Sequence, residues 1–297
     1  MVTAQLVKEL REKTGAGMMD CKKVLMETNG DMERAAELLR EKGITKAAKK
    51  SDRIAAEGLV YCYLSDDKKV GVVLEVNAET DFVAKNESFL KLLDTTVNVI
   101  LENSPANNEE ALALAVDGKT LNDLFIEAVA TIGEKITLRR FEILEKNDED
   151  TFGIYMHNNG AISVALILKN SSDAEVAKHM AMQVASMNPS YVSRADMPAD
   201  VVDHERAIQT EIVKNDEKFA GKPEKVIMGA IEGKVSKALQ DMSLVDQIYF
   251  LDPSKKCGQY LKENNTEVTK FVRYLVGEGL EKREENFAEE VAKQMAK

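Results

Sequence analysis

A pattern of strand, turn, strand and helix occurs twice in this sequence, and the repetition restricts the fold more than any other feature. In the first copy, alternating apolar residues at 59–63 and 70–76 flank a polar turn at 65–68, which is typical of a β-hairpin. A helical pattern of apolar residues follows from Phe82 to Glu102. The second copy has strands at 152–157 and 162–168, a turn at 158–160 and a helix at 173–187. We therefore predict an α+β fold whose core contains two related β-β-α subdomains.

The segments around the repeat predict three helical additions. Apolar residues in three short runs within 1–43 predict three helices, which need one another to bury their apolar faces. Two apolar stripes between Pro198 and Gln240, interrupted by Gly221 and Pro223, predict an antiparallel helical hairpin. A last helix is predicted from Glu284 to Ala296.

These patterns give a complete domain organisation. The predicted parts are a helical domain at 1–43, a basic linker at 44–56, a first core subdomain at 57–146, a second at 147–280 with a hairpin insertion at 198–241, and a carboxy-terminal helical module at 281–297. In the first subdomain, a further helix is predicted at 121–132 and a closing strand at 136–144. In the second subdomain, strands are predicted at 248–251 and 268–276, on either side of a helix near Tyr260.

Composition restricts the partners of the chain. The net charge of −11 opposes binding to phosphate backbones, and the absence of tryptophan leaves little for base stacking, so direct nucleic-acid binding is not expected. The sequence contains neither a membrane-spanning apolar run nor a signal-peptide pattern, which predicts a cytoplasmic protein without membrane contact. Cys21, Cys62 and Cys257 are too few and too far apart to indicate a disulfide framework.

Motifs for enzymatic chemistry are absent from the sequence. There is no GxxxxGK[ST] phosphate loop, no HExxH zinc motif and no GxSxG nucleophile elbow. The histidines at 157, 179 and 204 lack metal-ligand spacing. We therefore expect a protein that is not an enzyme and that requires neither a metal nor a cofactor.

The segment Thr80-Asp81-Phe82-Val83 is the strongest candidate for a functional site. One interpretation is purely structural: Thr80 or Asp81 caps the following helix, and Phe82 packs on that helix. In the second copy, Ala174 and Glu175 occupy the positions of Asp81 and Phe82, so the repeated fold itself requires neither an acid nor an aromatic ring there. The alternative is an exposed aromatic anchor beside a carboxylate, which is typical of a protein-binding site.

Three motifs resemble the elongation factor Ts family. LREKTGAGMMDCKK at 10–23 is similar to its amino-terminal signature, and VNAETDFVAKN at 76–86 is similar to its second signature. FVRYLVGEG at 271–279 resembles the carboxy-terminal segment of the family. Ala78 is a departure, because members typically carry cysteine there, and this chain therefore has no thiol at that position.

The resemblance implies both architecture and function. It implies a ubiquitin-associated-like three-helix domain at the amino terminus, two core subdomains, a coiled-coil insertion and a carboxy-terminal module. It also implies exchange of GDP for GTP on the GTPase elongation factor Tu, with Thr80, Asp81, Phe82 and Val83 dislodging Mg²⁺ from that partner. We expect weaker docking contacts from Lys8, Arg11, Thr14, Gly15, Met18, Met19, Asp20, Cys21 and His157. The oligomeric state is left open, with a dimer as one option.

Two rival interpretations use the same residues differently. A binding adaptor would use Met18 and Met19 of the three-helix module to hold a peptide or protein without exchange activity, although methionines at this spacing are more often core residues. A small hydrolase would need a nucleophile and a base, and the sequence offers no such pair.

Overall fold

A computed structural model describes residues 2–281 of the chain and has the predicted α+β composition. The α-helices in this range are α1 (Ala4–Thr14), α2 (Met18–Glu27), α3 (Met32–Ala48), α4 (Glu87–Asn103), α5 (Asn108–Ala113), α6 (Leu121–Ile132), α7 (Ala174–Met187), α8 (Ala199–Asn215), α9 (Glu224–Met242) and α10 (Cys257–Glu263). The strands are β1 (Glu57–Leu64), β2 (Val70–Ala78), β3 (Ala115–Val116), β4 (Lys119–Thr120), β5 (Thr137–Glu145), β6 (Thr151–His157), β7 (Ile162–Lys169) and β8 (Glu267–Leu275).

The described chain divides into two compact units. The first contains the residues up to Tyr61, Leu74–Ile143 and the segment from Tyr274 onward. The second contains Cys62–Val73 and Leu144–Arg273. No helix of residues 2–281 is both long enough and apolar enough to cross a bilayer.

Helices α1–α3 form the predicted three-helix module. Thr3 caps α1 with its side chain, and Gly15 ends that helix in the left-handed conformation, with φ of 69°. The carboxylate of Asp31 accepts hydrogen bonds from two backbone N–H groups in the first turn of α3. The three helices share a core made of Val7, Leu10, Cys21, Val24, Leu25 and Ala35.

The predicted end of the third helix at Gly43 is wrong, because α3 continues to Ala48. A Cβ atom built on Gly43 would lie 3.4 Å from Cβ of Ala130 and 3.6 Å from Cγ2 of Ile126, both on α6. These distances are ordinary van der Waals contacts, so Gly43 lies inside α3 where it faces α6 and does not terminate the helix. The start of the segment that was predicted as a linker is accordingly helical.

The predicted elements of the first copy are present, and the strand predicted at 136–144 completes their sheet as β5. The β1–β2 hairpin turns where the backbone N–H of Ser65 donates to the carbonyl of Val70 (2.8 Å). β1, β2 and β5 form a three-stranded sheet in this order, with β2 in the centre. Helix α5 and the short β3–β4 pair, which were not predicted, lie in the chain between α4 and α6.

The second copy is confirmed as strand, turn, strand and helix. β6 and β7 pair in antiparallel register from Thr151 opposite Leu168 to His157 opposite Ile162. β8 joins on the other side of β7, so this sheet has the order β6-β7-β8. Helix α7, capped by Asp173, packs on β6 and β7.

The predicted helical hairpin is present as α8 and α9. The connection contains Gly221 in a left-handed conformation and Pro223 immediately before α9. The facing sides of the two helices bury Val213, Ile231, Val235 and Leu239. The final helix predicted at 284–296 lies outside the described residues.

The strand predicted at 248–251 is wrong. Ile248 forms a single bridge with Lys256, and no strand is assigned there. The side-chain amide of Gln183 donates to the carbonyl of Ile248 (3.1 Å), and its oxygen accepts from the backbone N–H of Phe250 (2.9 Å). The side chain therefore satisfies the backbone groups that a neighbouring strand would otherwise satisfy.

A buried carboxylate organises the first unit around β2 and β5. Glu75 on β2 is fully buried, and its two oxygens accept hydrogen bonds from Arg139 (2.9 Å) and Arg140 (2.7 Å) on β5. The side chain of Asn77 (3.0 Å) and the backbone N–H of Gly277 (2.7 Å) also donate to this carboxylate. One acidic group thus joins two strands to the last turn of the described chain.

The pKa of Glu75 follows from these contacts. Burial alone raises the pKa of the carboxyl, but hydrogen bonds from Gly277, Asn77 and the two arginines together outweigh burial, so the pKa lies below its usual value. The contribution of Glu75 to stability is therefore complete above pH 4.5, the usual pKa, and is lost as the pH falls through the lower pKa of the folded protein.

We expect Glu75→Gln to lower the free energy of unfolding at pH 7 by about 2–4 kcal/mol, since the arginines lose their shared charged partner. Urea unfolding should show this difference at neutral pH and a shrinking difference below pH 4.5. The exposed Glu102→Gln should stay within about 0.5 kcal/mol of wild type. Equal stability of Glu75→Gln and wild type at pH 7 would contradict this account of the carboxylate.

Candidate functional site

The segment between β2 and α4 is an irregular loop. The sequence predicted a helix from Phe82, and this start is wrong; the alternative in which Thr80 or Asp81 caps that helix is also excluded. Helix α4 begins at Glu87, and its cap is Asn86, whose side-chain oxygen accepts from the backbone N–H groups of Ser88 (2.9 Å) and Phe89 (3.4 Å). Residues Val83–Lys85 form a single 3-10 turn before it. We call residues 79–86 the Phe82 loop.

The Phe82 loop turns one aromatic ring toward solvent. Phe82 is 79% exposed, the highest exposure among the large apolar side chains in the described part of the chain. Asp81 beside it is also exposed, whereas Val83 is buried at 4% exposure. The ring is therefore not packed on its own helix, and Val83 fixes the loop to the core on the other side of Phe82.

The base of the loop is held by two carboxylates. The carboxylate of Glu134, in the turn between α6 and β5, accepts from the backbone N–H of Thr80 (2.9 Å) and from its hydroxyl (2.7 Å). The carboxylate of Glu79 accepts from the backbone N–H of Lys135 (2.6 Å) and forms an ion pair with Arg53 (3.2 Å). Sequence reasoning missed Glu79, Glu134 and Lys135, because no spacing rule connects side chains more than 50 residues apart.

The second copy is helical at most of the positions that match the Phe82 loop. There, Asp173 caps α7 directly, and Ala174 and Glu175 lie in its first helical turn. In the first copy, the matching residues Asp81 and Phe82 precede the helix and remain outside it. The first copy therefore has the Phe82 loop where the second copy has the first turns of its helix.

The predicted docking residues of the three-helix module divide into exposed and buried groups. Met18 and Met19 are 55% and 73% exposed, so they are surface residues and not core residues. Lys8, Arg11 and Gly15 are also exposed.

The other three predicted docking residues of this module are partly or fully buried. Thr14 is half-buried and donates its hydroxyl to the carbonyl of Leu10 (2.7 Å), and Asp20 forms an ion pair with Lys46 (2.8 Å). Cys21 is fully buried in the core shared by α1–α3, and it cannot contact a partner directly.

His157 lies in the second unit, at the end of β6. Its side chain is exposed, and Nδ1 is 3.1 Å from the hydroxyl oxygen of Tyr155. Among the described residues, no group of three or more histidine, cysteine or acidic side chains could hold a metal ion. Burial raises the pKa of both Cys62 and Cys257 to about 12, so neither thiol is a nucleophile at neutral pH.

The Phe82 loop presents an exposed aromatic ring and an exposed carboxylate on a backbone held at Thr80 and at Val83, an arrangement that can bind another protein. The model of the elongation factor Ts family matches residues 79–278, which begin at the base of this loop and end at the turn held by Glu75. The chain belongs to the elongation factor Ts family. Members of this family are nucleotide exchange factors for elongation factor Tu and do not catalyse a chemical reaction.

We expect Phe82→Ala to change the free energy of unfolding by less than about 0.5 kcal/mol, because the ring is exposed and makes little contribution to packing. The matched change Phe89→Ala, at a fully buried ring on the adjacent helix, should cost about 3–5 kcal/mol. Chemical denaturation of both variants checks this pair. A large loss of stability in Phe82→Ala would mean that its ring is packed.

Proposed function

We propose that this protein releases GDP from elongation factor Tu by using Phe82 as a wedge and Asp81 as a charge that disturbs the Mg²⁺ site of the GTPase. The single observation that supports this most is the 79% exposure of Phe82 on a braced loop. Within residues 2–281, a ring this exposed contributes little to packing. It is available to enter a partner.

Thermodynamic linkage explains how such a wedge acts without chemistry. A protein that binds the GTPase better when the nucleotide site is deformed must weaken nucleotide binding by the same factor. Each tenfold loss of nucleotide affinity requires about 1.4 kcal/mol of differential binding. A buried aromatic anchor supplies a few kcal/mol of that in protein interfaces.

The carboxylate next to the ring complements this action. GDP in GTPases is held by a phosphate-binding loop and by Mg²⁺, which offsets the phosphate charge. In our proposal, Asp81 acts on the partner elements that hold the Mg²⁺ and its water ligands. Thr80 and Val83 hold the two ends of the loop, and the protein itself needs neither a metal nor a cofactor.

Further surfaces share the binding energy in this proposal. The exposed side of the three-helix module, around Lys8, Arg11 and Met19, docks the nucleotide-binding domain and sets the register of Phe82. His157 of the second unit and the carboxy-terminal segment bind elsewhere on the GTPase. We also propose a cytoplasmic location, in keeping with a function in translation elongation.

A binding adaptor is the second candidate, and the exposed methionines favour it. Met18, Met19 and Met26 are between 55% and 73% exposed and lie on one short helix, which suits an adaptable apolar surface. An adaptor binds its partner equally well with and without GDP, whereas an exchange factor binds the nucleotide-free GTPase more tightly. Affinity for elongation factor Tu with and without saturating GDP therefore separates the two functions.

We expect Phe82→Ala to slow GDP release by roughly tenfold to a hundredfold, which corresponds to about 1.4–2.7 kcal/mol of lost differential binding. The measurement is loss of fluorescent GDP from preloaded elongation factor Tu with catalytic amounts of each variant. Asp81→Ala should also slow release, while Asp66→Ala, an exposed acid in the β1–β2 turn, should not. Unchanged acceleration by both Phe82→Ala and Asp81→Ala would reject the wedge.

A further inference from the structure

Thr80 and Glu134 form a two-pronged contact at the base of the Phe82 loop. Both oxygens of the Glu134 carboxylate are used, one by the hydroxyl of Thr80 (2.7 Å) and one by its backbone N–H (2.9 Å). Within residues 2–281, the hydrogen-bond partners of this carboxylate are the two donors of Thr80. Two bonds to one residue fix the orientation of the backbone as well as its position.

The turn that carries Glu134 is itself tied to the connector after α3. The ammonium group of Lys135 donates to the carbonyls of Ser51 (2.5 Å) and Arg53 (3.0 Å). The ammonium group of Lys50 donates to the carbonyl of Gly133. Residues 50–53, 79–80 and 133–135 therefore form one hydrogen-bonded network, which we call the loop brace.

The exposed ring needs this support because it has little packing of its own. Phe82 follows Thr80 by two residues, and the direction of its Cα–Cβ bond is set by the backbone between the two fixed points, Thr80 and Val83. A loop that becomes ordered only on binding consumes part of the binding energy. A loop that is already ordered avoids that cost, and a binding site is more effective when its supporting contacts hold it in place.

We propose that Glu134 is a positioning residue for nucleotide release, acting through Thr80 to hold Phe82 in the direction in which it enters the GTPase. This inference rests on the proposed function of Phe82. The loop brace joins the Phe82 loop to the connector of the three-helix module, so docking of that module and entry of the ring occur in one fixed register. In this arrangement Glu134 fixes the direction of the loop, and Phe82 makes the contact with the GTPase.

Conservative substitutions of Thr80 and Glu134 separate an effect on the position of the loop from an effect on the stability of the protein. Thr80→Ser keeps the hydroxyl and both hydrogen bonds, whereas Thr80→Val keeps the size of the side chain and removes the hydroxyl. Glu134→Ala removes both acceptors. Glu102→Ala, at an exposed glutamate on α4, is the matched control.

Steady-state release of fluorescent GDP from elongation factor Tu gives kcat and KM for each variant. We expect Glu134→Ala and Thr80→Val to lower kcat about fivefold to tenfold, since ordering of the loop then occurs during the reaction. KM should stay within about twofold, because docking through the other surfaces is unchanged. Thr80→Ser should recover most of the kcat that Thr80→Val loses, and Glu102→Ala should match wild type. The double variant Thr80→Val/Glu134→Ala should be no slower than Glu134→Ala alone, since Glu134→Ala already removes both hydrogen bonds.

The same assay in a Phe82→Ala background identifies the route of the effect. If Glu134 acts through Phe82, then Glu134→Ala should cause little further loss there. An equal fivefold to tenfold loss in that background would overturn the inference, and so would normal kcat in both Glu134→Ala and Thr80→Val while Phe82→Ala is slow. Normal release by Phe82→Ala alone would instead reject the proposed function. Should Glu134→Ala fail to fold, Thr80→Val and Thr80→Ser carry the test without it.

Discussion

The buried carboxylate of Glu75 is the interaction on which the first unit depends. It lies on the central strand of a three-stranded sheet, and it is enclosed by two guanidinium groups from the neighbouring strand and by a backbone N–H from the 277 turn. A buried charge is tolerated only when its hydrogen-bonding capacity is satisfied, and here four donors satisfy it. Three residues after Glu75, the same strand ends at Ala78 and leads directly into the Phe82 loop.

The loop combines a rigid base with an exposed tip. Thr80 is bonded twice to Glu134, Glu79 is bonded to Lys135 and Arg53, and Val83 is buried, so Asp81 and Phe82 project between fixed points of the backbone. This division suits the proposed function, because a flexible anchor would adapt to the GTPase and transfer less of its binding energy into deformation. The comparison with α7, where the same positions are helical, shows that the repeated fold does not require this arrangement.

Much of the fold could be predicted from periodicity, whereas the details of the site could not. The two hairpins, the helices α6 and α7, and the α8–α9 pair follow from apolar spacing and turn residues, which are local signals. Gly43 misled because glycine ends many helices, whereas here α3 continues through it to Ala48. The start of α4 was misplaced because Phe82 and Val83 fit a helical spacing with Phe89, but the side chain that caps the helix is that of Asn86. Glu134 could not be found, since its contact with Thr80 depends on how β2 and β5 are placed in the sheet.

The amide of Gln183 has a consequence for solubility. It forms hydrogen bonds with the carbonyl of Ile248 and the N–H of Phe250. In the same segment, Ile248 is 43% exposed and Leu251 is 52% exposed. An apolar segment with free backbone groups is a template on which another molecule can add a strand, and such edges lead to aggregation. Because the buried Gln183 already bonds these backbone groups, the protein can keep apolar residues at its surface there without presenting an unpaired strand edge to other copies of itself.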